Sequence, residues 1–265
     1  MNSIIVLLVS ILVLLGSTAV AAFTSGTVSR LLSPSSASKS LVSSSSLLRA
    51  VKEASFGMGC FWEPAESMLK VDGIIDTVSG YTGNKRFDDD KKKTVPSYEN
   101  VCYGQDWVEG VQVTYDDNII SYDELLNVFF DQQKPAPQSR QYSSIIFPYD
   151  EEQYDVASTW SEQNKEINYQ RESDGFKAEW TSIEYPRTKF YAAEGYHQGY
   201  WQKQRPRFAL IFVLLAIASG ILDPIFSNNE SLLETIKNVA NGSTVAIGLA
   251  ITLERFLDSK VEVLD

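Results

Sequence analysis

Residues 57 to 62 of the chain read Gly57-Met58-Gly59-Cys60-Phe61-Trp62. This stretch places one of only two cysteines between glycines and two large aromatic residues. A proline and two glutamates follow directly, which is typical of the first turn of a helix. Cys60 is therefore predicted at or just before a helix N-terminus, where unpaired amides and the helix dipole favour an anion and lower the pKa of a thiol.

The composition of the chain excludes several classes of function. Its 265 residues carry a formal net charge of −11, which argues against nucleic acid as a partner, because nucleic-acid binding needs clustered Lys and Arg. Two cysteines cannot build a disulfide framework, and they do not form the Cys-x-x-Cys pair of a zinc site. His197 is the single histidine, so a histidine-rich metal centre is excluded as well. We therefore expect no bound metal or other cofactor.

The first 50 residues are predicted to be a targeting sequence. Ile4 to Leu15 is an apolar run, and small residues with an A-x-A-like site at Ala19 to Ala21 follow it, so residues 1–21 are interpreted as a signal peptide. Residues 22–50 are rich in serine, contain basic residues and lack acidic ones, as transit segments do. Together they resemble the bipartite presequence of algae with secondary plastids, which predicts entry into the secretory pathway and a plastid location. A secreted protein with a disordered N-terminal linker is the alternative.

From about Val51 the composition becomes globular, and segments with strand and helix patterns alternate irregularly. Ile74 to Val78 and Val111 to Tyr115 are predicted strands, and Ser121 opens a helix with a capping box. The remaining predicted elements are a strand at Gln141–Phe147, a polar helix capped by Asp150 that runs to about Ser173, and a strand at about Thr181–Tyr185. This pattern favours an α+β fold, a two-layer sandwich with a mixed sheet, flanking helices and a ferredoxin-like core.

The character of the chain changes again after residue 205. Phe208 to Leu222 carries no charge, is apolar on every helical face and follows two arginines, so residues 206–226 are predicted to anchor the protein to a membrane. As a helix this run spans only about 22 Å, against a hydrocarbon core of roughly 30 Å. A buried C-terminal helix is the alternative. Residues 227–265 are interpreted as an acidic tail, with a second apolar stretch at Thr244 to Leu253 that packs locally.

Cys60 belongs to a set of residues that could act together. Glu109 stands at the entry to a predicted strand, Tyr81 at the end of one strand and Tyr142 at the start of another. A thiolate with one carboxylic acid and two phenol donors suits the reduction of a polar X=O bond, whose oxygen must be protonated while sulfur attacks. Taken singly, the two tyrosines are ordinary strand aromatics and Glu109 is a solvated acid at a strand end.

Seven motifs in order along the chain carry a resemblance to a known family. They are Gly59-Cys60-Phe61-Trp62, Gly80-Tyr81-Thr82-Gly83, Tyr98-Glu99-Asn100-Val101-Cys102, Gly110-Val111-Gln112-Val113-Thr114-Tyr115-Asp116, Ile120-Ser121-Tyr122-Asp123-Glu124-Leu125-Leu126, Gln141-Tyr142-Ser143-Ser144 and Tyr196-His197-Gln198. In these motifs the chain resembles the A-type peptide methionine sulfoxide reductase from about Ser55 to Gln204. Residues 51–205 would then be the catalytic domain of a monomeric enzyme that repairs oxidative damage in proteins or peptides.

The resemblance implies a role for each residue of the set. Cys60 would attack the sulfur of methionine-S-sulfoxide, Glu109 would protonate the departing oxygen, and Tyr81 and Tyr142 would orient it. The products would be methionine and a Cys60 sulfenic acid.

The resemblance also implies how substrate is held and how the thiol is restored. Phe61 and Trp62 would hold the methyl group of the substrate. An external thiol reductant, thioredoxin or glutaredoxin, would restore Cys60. Cys102 is the candidate resolving cysteine, because no cysteine follows it, and its alternative interpretation is a small buried hydrophobic residue.

The chain departs from the family pattern near the catalytic residues. The loop before Glu109 is one residue shorter, and the stretch 133–140 lacks the aspartate that helps to position substrate, leaving Gln138 or Ser139 to supply a hydrogen bond. Glu63 replaces a glycine, and its charge would raise the pKa of Cys60. A non-catalytic or redox-sensing module that keeps the reductase fold is therefore the alternative function.

Overall fold

A computed structural model describes residues 51–84, 96–103, 106–136, 139–165, 181–226 and 229–264. The presequence predicted at residues 1–50 lies outside these ranges, and so do Gln138 and the end of the predicted polar helix at Ser173. These three interpretations stay predictions.

A seven-stranded mixed sheet forms the centre of the fold, with the strand order β5-β4-β1-β3-β2-β6-β7. The β4–β5 pair is parallel and the other neighbouring pairs are antiparallel. The strands are β1 (Val51–Met58), β2 (Ile74–Thr82), β3 (Val108–Asp116), β4 (Ser144–Phe147), β5 (Ser182–Ile183), β6 (Phe190–Ala192) and β7 (Glu262–Leu264). The order β4-β1-β3-β2 is that of a ferredoxin-like core, so the predicted α+β sandwich with a mixed sheet is confirmed.

Seven helices accompany this sheet within the described ranges. They are α1 (Trp62–Met68), α2 (Tyr98–Cys102), α3 (Tyr122–Gln132), α4 (Glu151–Gln163), α5 (Tyr200–Ala218), α6 (Asp223–Phe226) and α7 (Glu230–Leu257). Helix α3 begins with the predicted capping box of Ser121 and Glu124, and it buries an apolar face against β1, where the rings of Phe56 and Phe129 stack at 4.8 Å. Burial of this face fixes α3 on the sheet, since apolar area removed from water is the main stabilising term.

The predicted strand at Gln141–Phe147 begins only at Ser144. The residues before it form turns, in which Tyr142 N donates to Ser139 O at 3.2 Å and Ser143 N donates to Arg140 O at 3.3 Å. As a consequence Tyr142 lies on a turn at the edge of the sheet rather than in a strand.

The close approach of β6 to β2 depends on Gly80. Gly80 pairs with Ala192, and a Cβ at Gly80 would lie 2.4 Å from the carbonyl oxygen of Tyr191 and 2.3 Å from Cε1 of Phe190. A larger residue would therefore push β6 away, together with the segment 193–197 that follows it.

The C-terminal part of the chain differs most from the sequence-based interpretation. Helix α5 runs without a break through Pro206, across the predicted start of the anchor. The predicted acidic tail forms α7, which packs against α5 as a helical hairpin, and then β7, which pairs with β6. Among the described residues, none of the helices is both long and apolar enough to cross a membrane.

Candidate active site

A tight turn between β1 and α1 carries Cys60. Gly59 has a φ of +82°, and a Cβ there would lie 1.9 Å from the carbonyl oxygen of Lys134. Glycine is therefore required at this position, both for the left-handed backbone and for the close approach of residue 134. The turn leaves Cys60 exposed, two residues before α1 begins at Trp62, and so confirms its predicted place at a helix start.

The pKa of the Cys60 thiol is raised, whereas the helix start predicted a lowered value. Partial burial is the largest cause; the backbone N–H of Trp62 opposes it, and the negative charges of Glu109 and Glu63 add to the rise. Helix α1 has only seven residues, and the loss of hydration outweighs its contribution. The predicted influence of Glu63 is confirmed, although this carboxylate also pairs with Lys134 Nζ at 2.6 Å.

Strand β3 buries Glu109 beside this turn, with a relative exposure of 1%. Its Oε2 accepts a hydrogen bond from Phe61 N at 3.3 Å, and its Oε1 accepts one from Gln141 Nε2 at 2.6 Å. Burial raises the pKa of Glu109 to about 7, although both hydrogen bonds lower it. A carboxyl group with this pKa still holds its proton near neutral pH and can donate it, as a general acid must.

Tyr98 and Tyr142 lie close enough to Glu109 for its charge to act on their hydroxyl groups. Burial is the largest cause that raises the pKa of Tyr142, to about 12, and the charges of Glu109, Cys60 and Cys102 add to it. The pKa of Tyr98 is raised by burial, by a hydrogen bond to Cys102 and by the charges of Cys102, Glu109 and Tyr142. Because their charges act on one another, these groups lie around one site; they are Cys60, Cys102, Glu109, Tyr98 and Tyr142.

Burial raises the pKa of Tyr81 and the charge of Glu109 adds to this rise, so Tyr81 lies near Glu109 as well and its role in orienting the oxygen stays a prediction. The Tyr81 side chain is completely buried, and its hydroxyl donates to Glu194 Oε2 at 2.8 Å. Sequence reasoning missed Tyr98, although Tyr98 opens one of the seven motifs. The signal that could have found it is Ser97, whose side chain caps α2 and so places Tyr98 at the start of that helix.

An aromatic wall adjoins the thiol. Phe61 and Trp62 lie next to each other, with ring centroids 6.5 Å apart, and Trp62 stacks on Tyr200 at 3.9 Å. Trp62 Nε1 donates to His197 Nδ1 at 2.9 Å, so the proton of the neutral imidazole is on Nε2. The structure thus brings together the two aromatic residues predicted to hold substrate and adds Tyr200 and His197 to them.

The described residues of the stretch 133–140, which are 133–136 and 139–140, make backbone hydrogen bonds beside the Cys60 turn. Lys134 N donates to Met58 O at 2.8 Å, and Ala136 N donates to Tyr142 O at 3.1 Å. The carbonyl oxygen of Ser139 accepts from the hydroxyl of Ser143 at 3.0 Å. The stretch therefore fixes the Tyr142 turn.

Cys102 lies at the end of α2 and is exposed, so its interpretation as a small buried hydrophobic residue is wrong. Gln141 Nε2, which donates to Glu109, lies 3.6 Å from the Cys102 sulfur. Both cysteines are free thiols. In the part of the chain that the structure describes, no group of three or more His, Cys, Asp or Glu side chains could hold a metal ion.

We predict that His197 makes stability dependent on pH. Burial, with the charges of Arg255 and Lys203, lowers the pKa of His197 to about 3 from its ordinary 6.5. Between these values the unfolded chain binds the proton and the folded chain does not. The contribution of His197 to the free energy of unfolding is therefore complete above pH 6.5. It is lost as the pH falls towards 3, by at most about 1.4 kcal/mol per pH unit.

Urea unfolding of the wild type and of His197→Gln at pH 7, 6, 5 and 4 measures this effect. Glutamine can still accept from Trp62 but does not titrate, and His197 is the single histidine. The difference between the free energies of unfolding of the two proteins should change with pH. Because Glu109 is present in both, its opposite contribution cancels in this difference. Parallel curves would contradict the prediction.

Comparison with known proteins places the chain in a family. The family model described as "Peptide methionine sulfoxide reductase" matches residues 52–217. The chain is 39% identical to a peptide methionine sulfoxide reductase MsrA of Nautilia profundicola over 57% of this chain and 83% of the relative. It is 33% identical to that of Methanothermobacter thermautotrophicus, over 64% and 97% of the two chains.

Among solved structures, the chain is similar to methionine sulfoxide reductase A of Corynebacterium diphtheriae, with a TM-score of 0.49 and 22% identity over 60% of this chain and 78% of the other. For reduced Mxr1 of Saccharomyces cerevisiae the TM-score is 0.44 and the identity 28%, over 59% and 86%. The family model covers well over half of the 265 residues. The chain therefore belongs to the peptide methionine sulfoxide reductase family, of the A type that its motifs predicted.

Proposed function

We propose that this reductase converts methionine-S-sulfoxide in oxidised proteins or peptides to methionine, with Cys60 as the nucleophile. The observation that carries the proposal is the pairing of an exposed thiol with a buried acid whose pKa is about 7, both beside the Phe61–Trp62 wall. A thiol alone can attack sulfur, but the oxygen leaves only if it is protonated. Glu109 is the group that can supply this proton.

In the proposed reaction the Cys60 thiolate adds to the sulfoxide sulfur while Glu109 transfers its proton to the oxygen. The sulfoxide sulfur gains two electrons and becomes the thioether of methionine. The Cys60 sulfur loses two electrons and keeps the oxygen as a sulfenic acid. Atoms and electrons therefore balance without a bound cofactor.

The hydroxyl groups of Tyr98 and Tyr142 would orient the departing oxygen, because both lie near Glu109. Tyr81 would support this site indirectly through Glu194. Phe61 and Trp62 would hold the methyl group, since an apolar methyl loses nothing when it leaves water for an aromatic wall.

An external thiol would complete the cycle. Thiol reductants serve this family, and we propose a thioredoxin-type or glutaredoxin-type dithiol here. Cys102 is the candidate resolving residue: its thiol would attack the sulfenic sulfur of Cys60, release water and form a disulfide that the dithiol then reduces.

The alternative function, a redox-sensing module, is disfavoured by the thiol itself. Cysteines that sense peroxide have a lowered pKa, because the thiolate is the form that is oxidised. The pKa of Cys60 is raised. A thiol of this kind is better suited to attack a substrate held against it than to react with free peroxide.

We expect Cys60→Ser to abolish reduction of a peptide methionine-S-sulfoxide with dithiothreitol, because a serine hydroxyl is not a nucleophile at neutral pH without a strong base. Chromatographic measurement of methionine gives the rate, and the R-sulfoxide serves as the control substrate that should not react. A folded wild-type protein without turnover of the S-sulfoxide would refute the proposed function.

The same assay without reductant tests Cys102. After one turnover the wild type should have lost both free thiols, whereas Cys102→Ser should have lost one and kept its dithiothreitol-driven rate. One thiol remaining in the wild type would show that the external reductant acts on Cys60 directly.

The pH dependence of kcat/KM should reveal Glu109 as the acid. Below pH 7 the rate should rise with the thiolate fraction of Cys60; above about 7 the loss of the Glu109 proton should cancel that rise and give a plateau. Glu109→Gln should be slower, and its rate should keep rising up to the raised pKa of Cys60. A variant profile with the same plateau would rule out Glu109 as the acid.

We also propose that the α5–α7 hairpin binds a bilayer surface. Residues 208–218 of α5 and residues 238–253 of α7 are both uncharged, and the two helices pack against each other. Ion pairs lie at both ends of these two uncharged segments: Glu254 pairs with Lys203 and Arg207 at one end, and Asp223 pairs with Lys237 at the other. Between the ends, Phe212 and Leu249 are 71% and 65% exposed, as suits a segment in contact with lipid.

Flotation with neutral phosphatidylcholine vesicles tests this surface. The wild type should float with the vesicles, and the double variant Phe212→Glu/Leu249→Glu should stay behind because two charges would enter the apolar belt. Ile119→Glu is the control, since Ile119 is also apolar and 55% exposed but lies in the turn between β3 and α3. A wild type that remains at the bottom of the gradient would end the proposal.

A further inference from the structure

Glu194 is a buried carboxylate outside the set of residues that the proposed reaction uses. It follows β6, and its relative exposure is 4%. Its Oε2 accepts from the Tyr81 hydroxyl at 2.8 Å, and its Oε1 accepts from Tyr98 N at 3.0 Å. A charge buried this deeply is costly unless it is hydrogen-bonded, so both donors are needed.

The bond to Tyr98 N decides where Tyr98 lies. Tyr98 is the first residue of α2, which has only five residues, and a helix of this length is not stable by itself. Ser97 caps the helix by accepting from Asn100 N, but that bond is local to the segment. Glu194 is the group from another element that ties the start of α2 to the sheet.

The same carboxylate lies behind the aromatic wall. Its Oε2 is 3.8 Å from His197 Nε2, and the other nitrogen of this imidazole accepts from Trp62. His197 also packs against Tyr98, with ring centroids 4.8 Å apart. Glu194 therefore adjoins both Tyr98, which lies near Glu109, and the aromatic wall that would hold the methyl group of the substrate.

The C-terminal extension fixes Glu194. On one side Ala193 N donates to Ser79 O at 2.9 Å, and on the other Gly195 N donates to Asp258 O at 3.0 Å. Asp258 follows α7, and the chain then pairs along β6 as β7. Residues beyond 217, where the family match ends, therefore brace the segment that carries this carboxylate.

We infer that Glu194 is a positioning residue for sulfoxide reduction. It fixes the position of Tyr98 directly and that of Trp62 through His197. The inference rests on the proposed function, because it assigns Tyr98 to the departing oxygen. Glu194 touches neither Cys60 nor substrate. Its removal should therefore impair the chemical step and leave the reactivity of the thiol unchanged.

Glu194→Ala is the first test. Alanine offers no acceptor, so both the Tyr81 hydroxyl and Tyr98 N lose their partner. We expect kcat/KM for the S-sulfoxide to fall on the order of tenfold to a hundredfold, mainly in kcat, since small displacements of a positioned group have effects of this size. The rate of Cys60 alkylation by iodoacetamide should stay within about twofold, because Glu194 is not among the causes of its pKa shift.

A rescue variant separates positioning from loss of a side chain. In Glu194→Gln the amide oxygen can accept from Tyr98 N while the amide N–H donates to the Tyr81 hydroxyl, so kcat/KM should stay within about threefold of the wild type. Ser55→Ala is the stability control, because it removes a partly buried hydrogen bond to Tyr149 in a network without active-site residues.

Three outcomes would decide the inference. If the wild type is active and Glu194→Ala keeps kcat/KM within twofold, or if Glu194→Gln is as slow as Glu194→Ala, the inference fails and the proposed function stands. An inactive wild type would refute the proposed function itself. If Glu194→Ala does not fold, Tyr81→Phe/Glu194→Ala, which leaves no Tyr81 hydroxyl unpaired, is compared with Tyr81→Phe/Glu194→Gln, which keeps an acceptor for Tyr98 N: a tenfold lower rate of the alanine variant supports the inference, and equal rates overturn it.

Discussion

The burial of Glu109 beside the Cys60 turn is the constraint on which the site depends. A carboxyl group at 1% exposure needs donors, and it takes them from Phe61 N and Gln141 Nε2. These two bonds join the turn after β1, the strand β3 and the loop before β4. The same burial that requires the donors raises the pKa of Glu109 to about 7, so one physical cause both holds the site together and prepares its acid.

The sequence predicted the parts of this arrangement that depend on local pattern. The capping box of Ser121, the strand β3 and the cysteine before a helix all follow from residues close together in the chain, and the structure agrees with each. The direction of the Cys60 pKa shift could not be predicted in this way, because it depends on burial by distant residues. For Tyr98 the local cap of Ser97 indicates only the start of a helix, and the bond that ties this helix to the sheet comes from Glu194, 96 residues away.

The C-terminal region shows how tertiary pairing overrides composition. An acidic stretch with few strand formers gave no reason to expect an edge strand at Glu262–Leu264. The strand forms because β6 offers an unpaired edge and α7 returns the chain to it. The C-terminal region also affects the site. The carbonyl oxygen of Asp258 accepts from Gly195 N, and besides burial the charge of Arg255, with that of Lys203, lowers the pKa of His197 and helps to keep it neutral.

The order of the two pKa values near the reacting atoms has a consequence for selectivity. The proposed reaction needs Cys60 deprotonated while Glu109 is protonated, yet the thiol has the raised pKa and the carboxyl group the lower of the two. This state is therefore a minor one, and each pKa unit that separates the groups costs about 1.4 kcal/mol. Such a cost is small beside the barrier that an enzyme removes. With these pKa values the resting thiol would stay protonated and resist oxidation by solutes, and under the proposed mechanism its reactivity would be confined to substrates that fill the aromatic wall and bring an oxygen to Glu109.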